Sequence, residues 1–153
     1  MQRLDHQLCF ALYSSSLLMT KLYKPVLAAL GLTYPQYLVL LVLWEADAAG
    51  AVGNMLGVGE LGTRLFLDSG TLTPLLKRME AAGLLTRTRA AEDERRVIVA
   101  LTSLGRRLRR KAAHVPNEVA CAVGCKLNEI AELTAQLQLL RSNVVGHLAL
   151  AAA

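Results

Sequence analysis

No stretch of this sequence is apolar for long enough to cross a membrane as a helix. The longest unbroken run, Tyr37–Trp44, falls far short of the roughly 20 residues that a bilayer requires. Nor is a secretory leader expected, because Arg3, Asp5 and His6 precede a mixed segment rather than an apolar core with a small-residue cleavage site. These two absences give the expectation of a cytoplasmic protein with no membrane partner. Cysteine is scarce, at Cys9, Cys121 and Cys125. In a reducing compartment such thiols rest unpaired, so any disulfide is transient and redox-linked. There is no Cys-x-x-Cys recycling pair. Cys121 and Cys125 form a Cys-x3-Cys spacing without a second ligand pair nearby, and His114 is a lone neighbour; neither a metal nor a cofactor is expected.

What is present is apolar and basic. At 153 residues the chain is long enough for one domain with a real core. Its 54% hydrophobic content is high for a small monomer, which points to apolar surface buried against a second copy, a homodimer. The net charge of +5 favours a polyanionic partner. Position says more than the total. Arg64, Lys77, Arg78, Arg87, Arg89, Arg95 and Arg96 share one central stretch, and Arg106 to Lys111 add five more positive charges.

Along the chain, apolar residues recur at helical steps from Leu4 to Leu30 (Leu8, Leu12, Leu18, Leu22) with Pro25 interrupting, which predicts one long, bent helix ending at Gly31. Thr33 or Tyr34 opens a second helix with Pro35 in its first turn. Its apolar run is hydrophobic all round and belongs in a core. Ala48–Gly57, rich in Ala and Gly, reads as a loop. Val58–Leu65 reads as a short amphipathic helix, Phe66–Asp68 as a turn, and Ser69–Gly83 as a second helix closed by glycine. Leu84–Arg89 and Arg95–Leu101 are β-rich runs around the polar tip Ala90–Glu94, hence a hairpin. Thr102 caps a further helix to about Ala113. Val115 and Pro116 mark a bend, and helix resumes to about Leu148 ahead of an alanine tail. The fold class expected is mainly α with a small β-hairpin wing, a winged helix-turn-helix spanning 1–153, with 58–101 as the DNA-binding region and 1–47 and 102–148 as dimerisation and sensor helices.

Short helix, turn, longer helix and hairpin is a DNA-reading order, since the second helix fits the major groove while the wing reaches adjacent backbone or minor groove. Ser69, Thr71 and Thr73 lie at the start of the second helix, where small hydroxyls approach phosphates and base edges, and Lys77 and Arg78 follow one turn on. Arg95, positioned by Asp93, suits a narrow minor groove, with Arg96 beside it. Taken alone, a charged hairpin tip is equally a solvated feature of a small module, and the Arg106 to Lys111 run is equally a solvated helix face.

Gly59–Leu65, Asp68–Arg78, Glu80–Gly83, Asp93–Arg96, Leu101-Thr102 and Gly105 together resemble the MarR family of bacterial transcription regulators. Leu8–Tyr13, Lys21–Pro25 and Gly31–Tyr37 are similar to its organic hydroperoxide resistance branch, the OhrR regulators of two-cysteine type. This resemblance implies a repressor, not an enzyme, that binds near-palindromic operator DNA as a dimer and takes an organic hydroperoxide as inducer. It also implies that Cys9 is the peroxide-reactive cysteine, Tyr23 and Tyr34 its hydroxyl partners, and Cys121 the resolving thiol, reaching Cys9 across the dimer. In a helix, Cys9 and Tyr23, fourteen positions apart, are separated by about 40° around the axis and about 21 Å along it. They meet only if the first helices of two subunits cross antiparallel. Cys125 receives no role. One departure from the resemblance is the loop at 48–57, which makes the join between core helix and DNA-reading unit longer, by about seven residues, than the family leads one to expect. A second reading is a regulator released by a small apolar or phenolic ligand, with Cys9 incidental; a third, a basic thiol peroxidase, is disfavoured because the basic wing and hydroxyl-rich helix are unneeded for peroxide turnover and no Cys-x-x-Cys pair recycles the thiol.

Overall fold

The computed structural model describes residues 3–49, 56–93 and 95–151. A 3-10 turn, Leu4–His6, precedes α1, Leu8–Ala28, and the extended backbone of Gln7 (φ −92°, ψ 117°) separates them. The single helix expected over Leu4–Leu30 is therefore two elements. Pro25 lies inside α1, three residues from its end, so the hydrogen bond it removes is lost where the helix is about to finish. Gly31 then takes φ +67°, a left-handed turn conformation that glycine adopts without a Cβ penalty. Helix α2, Tyr34–Ala48, starts with Pro35 in its first turn and with Gln36 Oε1 accepting from the Thr33 N–H at 2.9 Å. It buries Tyr37, Val39, Leu40, Val42, Leu43 and Trp44, which makes it the central helix the sequence predicted.

Helices α3 (Val58–Leu65) and α4 (Ser69–Ala81) pack on each other and on α2. Strands β2 (Leu85–Arg89) and β3 (Val97–Leu101) form the antiparallel wing, Leu85 opposite Leu101 and Arg89 opposite Val97. A short strand β1, Leu56–Gly57, pairs with the other edge of β3, giving the order β1-β3-β2. Two expectations change here. The assigned loop at 48–57 ends in a strand, because Leu56 and Gly57 find ladder partners in Val99 and Ile98; its stretch at 50–55 lies outside the described residues. Arg95 and Arg96 belong to the wing's tip rather than to β3; Glu94 of that tip is likewise outside the described residues.

Thr102 caps α5, Ser103–Lys111, by accepting from the Gly105 N–H at 3.1 Å. Residues Met1–Val115 form one compact unit and Pro116–Ala153 another. Helix α6, Val115–Val123, begins at that boundary, and α7, Leu127–Ala151, follows. The continuous helix expected beyond Pro116 is thus two. Gly124 at φ +71° ends α6, and Glu129 Oε2, accepting from the Lys126 N–H at 2.9 Å, opens α7. Cys125 lies in that joint, off the helix that carries Cys121. Helix α7 buries none of its described residues and exposes Leu127, Leu133, Leu139 and Leu148. Among the described residues, no helix is long and apolar enough to cross a membrane.

Candidate functional site

The turn between α3 and α4 is set by Phe66, a non-glycine residue in the left-handed region (φ 55°), and by the Leu67 N–H closing on the Gly62 carbonyl at 3.0 Å. Asp68 then caps α4. Its Oδ1 accepts from the Thr71 N–H and its Oδ2 from the Thr71 hydroxyl, both at 2.9 Å. Leu72, Leu75, Leu76 and Met79 bury one face of α4. Ser69, Thr71, Lys77 and Arg78 are exposed, and Thr73 is half-buried. Among the described residues the Ser69 and Thr73 hydroxyls have no hydrogen-bond partner, whereas the Thr71 proton is spent on the cap.

Two carboxylates fasten the wing. Glu80 of α4 holds Arg87 of β2 through its backbone N–H (2.9 Å), Nε (3.0 Å) and a terminal guanidinium nitrogen (2.7 Å). Glu60 of α3 accepts from the Gly57 N–H at 2.6 Å and from Arg96 at 3.1 Å. Arg96, expected at the nucleic-acid surface, is thus turned toward α3. Asp93 orders the tip. Its Oδ1 accepts from the Arg95 N–H at 3.0 Å and its carbonyl from the Arg96 N–H at 2.9 Å. The Arg95 side chain is exposed, and it, Lys77 and Arg78 have no carboxylate partner among the described residues. Thr73, Arg87, Asp93, Arg95, Arg96 and Val97 line a cleft of about 460 Å³ between α4 and the wing.

The capping and wing-fastening carboxylates carry a pH signature. The Gly57 N–H and then Arg96 lower the Glu60 pKa, the Thr71 N–H and hydroxyl lower that of Asp68, and the Arg87 side chain and N–H lower that of Glu80. Each folded pKa lies below the ordinary 4.5 of Glu or 3.8 of Asp. Their stabilisation is therefore complete above the ordinary values and is lost as pH falls through the folded ones. Thermal melts followed from pH 7 to pH 3 should show a fall below about pH 4.5 that is shallower in the Glu60→Gln/Glu80→Gln double variant. Equal slopes in the two proteins would remove these carboxylates from the account.

The second candidate cluster lies where α1 meets α2. Tyr23 and Tyr34 stack with ring centroids 4.4 Å apart, so the two residues predicted to work together are neighbours across two helices. Burial raises both pKa values, with Tyr34 and Tyr37 adding to the rise at Tyr23, which keeps the phenols protonated as donors. Neither phenol has a hydrogen-bond partner among the described residues. Cys9 is exposed in the first turn of α1. One chain does not bring it to Tyr23, fourteen residues along the same helix and so about 21 Å away. Cys121 is an exposed free thiol on α6. No group of His, Cys, Asp and Glu able to hold a metal ion occurs among the described residues.

Sequence reasoning missed Glu60 and Glu80 as wing fasteners. Gly57 and Glu60 at capping-box spacing offered a signal for the first; the second depends on a seven-residue closure that no local pattern announces. It also passed over the buried Trp44 indole N–H, which donates to the Gly105 carbonyl at 2.9 Å and ties α2 to α5.

Comparison with known proteins gives concordant matches. Residues 21–111 match the family described as transcriptional regulator SarA/Rot. The chain is 53% identical over 117 residues to the organic hydroperoxide resistance transcriptional regulator of Bacillus subtilis (strain 168), covering 76% of this chain and 75% of that protein. It is 48% identical over 143 residues to the HTH-type transcriptional regulator TtmR of Methylorubrum extorquens (strain PA1), covering 94% and 70%. Among solved structures, overoxidized AbfR bound to DNA superposes with a TM-score of 0.71 at 34% identity, over 93% of this chain and 95% of that one. AbfR, a protein of Staphylococcus epidermidis, has also been solved reduced on DNA and with its disulfide formed.

Proposed function

The chain belongs to the MarR family of transcription regulators, in the branch of the organic hydroperoxide resistance regulators, and from that premise we propose that it is a homodimeric, DNA-binding repressor released from its operator by oxidation of Cys9. The observation that carries the redox part is the Tyr23–Tyr34 pair, two protonated phenols stacked at 4.4 Å whose hydroxyls have no hydrogen-bond partner among the described residues. They supply donors to a thiolate brought by Cys9 of the partner subunit, and such hydrogen bonds favour the charged sulfur. The exposed apolar faces of α1 (Leu8, Leu12, Leu17) and α7 supply the surface for dimerisation. Ser69, Thr73, Lys77 and Arg78 of α4, with Arg95 at the wing, supply the operator contacts, while Thr71, Asp93 and Arg96, which the sequence offered for the same surface, hold the helix cap and the wing tip in place.

The chemistry balances without a cofactor. The Cys9 thiolate attacks the terminal oxygen of the hydroperoxide; the S–O bond forms, the O–O bond breaks, and alkoxide leaves and takes up a proton. The thiolate of Cys121 of the partner subunit then attacks the sulfenic sulfur. The S–S bond forms and hydroxide departs, taking a proton to leave as water. The resulting link between the subunits changes the spacing of the two α4 helices, and an operator with fixed half-site separation is lost.

A gel-shift titration tests this, using reduced protein, protein treated with cumene hydroperoxide, and Cys9→Ser and Cys121→Ser variants, alongside non-reducing electrophoresis. Peroxide is expected to abolish operator binding by the wild type and to yield a covalent dimer that needs both cysteines. Cys9→Ser should bind DNA and ignore peroxide. Wild-type binding that survives complete oxidation would overturn the reading in favour of release by a small ligand.

A further inference from the structure

A third tyrosine lies against the sensor pair and has no part in the mechanism above. The Tyr37 ring is 6.1 Å from that of Tyr23 and 6.2 Å from that of Trp44, edge-on to the latter. The residue is 3% exposed. A buried tyrosine normally finds a hydrogen-bond partner for its hydroxyl, and Tyr37 has none among the described residues. No sealed side-chain oxygen or nitrogen lacks a partner among those residues, so the phenol oxygen is the part of Tyr37 that still reaches open space. Its pKa is raised by burial and then by Tyr34, and Tyr23 is raised in turn by Tyr34 and Tyr37. The ring contacts set Tyr37 beside Tyr23 and Tyr23 beside Tyr34, so the three phenols form one cluster.

We propose that Tyr37 is a catalytic proton donor of the peroxide reaction, giving its phenolic proton to the alkoxide oxygen that leaves as Cys9 of the partner subunit is oxidised. This rests on the sensor reading above and adds a division of labour among three phenols. Two donors suffice to hold a thiolate, but charge then moves from sulfur to the departing oxygen, and a donor placed where charge develops lowers that barrier. A phenol is a far stronger acid than an alcohol even with its pKa raised by burial, so the transfer runs downhill. The S–O bond forms, the O–O bond breaks, the alkoxide becomes alcohol, and the Tyr37 phenolate is reprotonated by water.

Leaving-group dependence isolates this role. Tyr37→Phe keeps the ring between Tyr23 and Trp44 and removes the hydroxyl alone. Rates of Cys9 oxidation would be measured by intact mass spectrometry with dimedone trapping, against cumene hydroperoxide, whose alkoxide needs a proton, and peracetic acid, whose carboxylate does not. We expect Tyr37→Phe to lose about tenfold or more with the hydroperoxide and less than about twofold with the peracid, a contrast that a packing defect cannot produce. Equal losses with both oxidants, or no loss with either, would overturn the proposal. Tyr23→Phe separates the two layers. If it slows both oxidants while Tyr37→Phe matches wild type, this inference alone fails; if it slows neither, the sensor reading fails and takes the inference with it.

Discussion

Gly105→Ala is expected to destabilise the folded chain by about 3 kcal/mol or more, enough to lower Tm by on the order of 10 °C. A Cβ at this position would stand 2.2 Å from the Leu84 carbonyl oxygen and 3.0 Å from Leu101 Cδ2. Neither neighbour can yield cheaply. The Leu84 carbonyl accepts from both the N–H and the hydroxyl of Thr102, each at 3.1 Å, and the same hydroxyl donates to the Gly83 carbonyl at 2.6 Å. Retreat of α5 would break the Thr102 cap and pull the Gly105 carbonyl off the buried Trp44 indole, bonded at 2.9 Å. Each such bond is worth about 1 kcal/mol, and the stranded buried donor costs more. Gly59→Ala is the control. It sits in α3, where an added Cβ would meet nothing within 4 Å, so alanine there should be neutral or stabilising by about 0.5–1 kcal/mol. Circular-dichroism melts of the two variants decide the matter, and a Gly105→Ala melt within a degree or two of wild type would show that the close approach carries no weight.

The junction at Gly105 also marks the limit of what the sequence discloses. The α2 core helix, the α3-turn-α4 order and the wing are legible because each is encoded locally, by an apolar run opened by Pro35, a helix closed by Gly83 or two β-rich runs around a polar tip. Tyr23 and Tyr34 are reachable as partners only through the family resemblance; no pattern says that side chains eleven residues apart will stack. Strand β1 is hidden because a two-residue strand takes its identity from its partner. The break at Gly124 is hidden because a lone glycine inside an apolar run is ambiguous until its φ is known. Arg95 and Arg96 are adjacent and chemically identical in the sequence. The fold alone separates them, by placing Glu60 within reach of one.

That separation gives the second large effect. Arg95→Ala is expected to weaken operator binding about 100-fold, since the dimer loses two base-proximal contacts worth about 1–3 kcal/mol each. The slope of log affinity against log salt should also become shallower by about two. The Arg95 guanidinium has no carboxylate partner among the described residues, and its backbone is already fixed by Asp93 Oδ1 at 3.0 Å. Little backbone entropy therefore remains to be lost when its side chain enters a narrow groove, where negative potential is concentrated. Arg96 differs. Its guanidinium rests on Glu60 at 3.1 Å and packs over Gly57, so Arg96→Ala should change operator affinity by no more than about threefold, the scale of an exposed ion pair. Fluorescence anisotropy on a labelled operator at several salt concentrations reads both variants. Unequal losses in the predicted order mean that the ion pair with Glu60 sorts the two arginines into a reader and a fastener. Equal losses mean that the tip acts as undirected positive charge, and an Arg95→Ala variant that binds like wild type removes the wing from operator recognition.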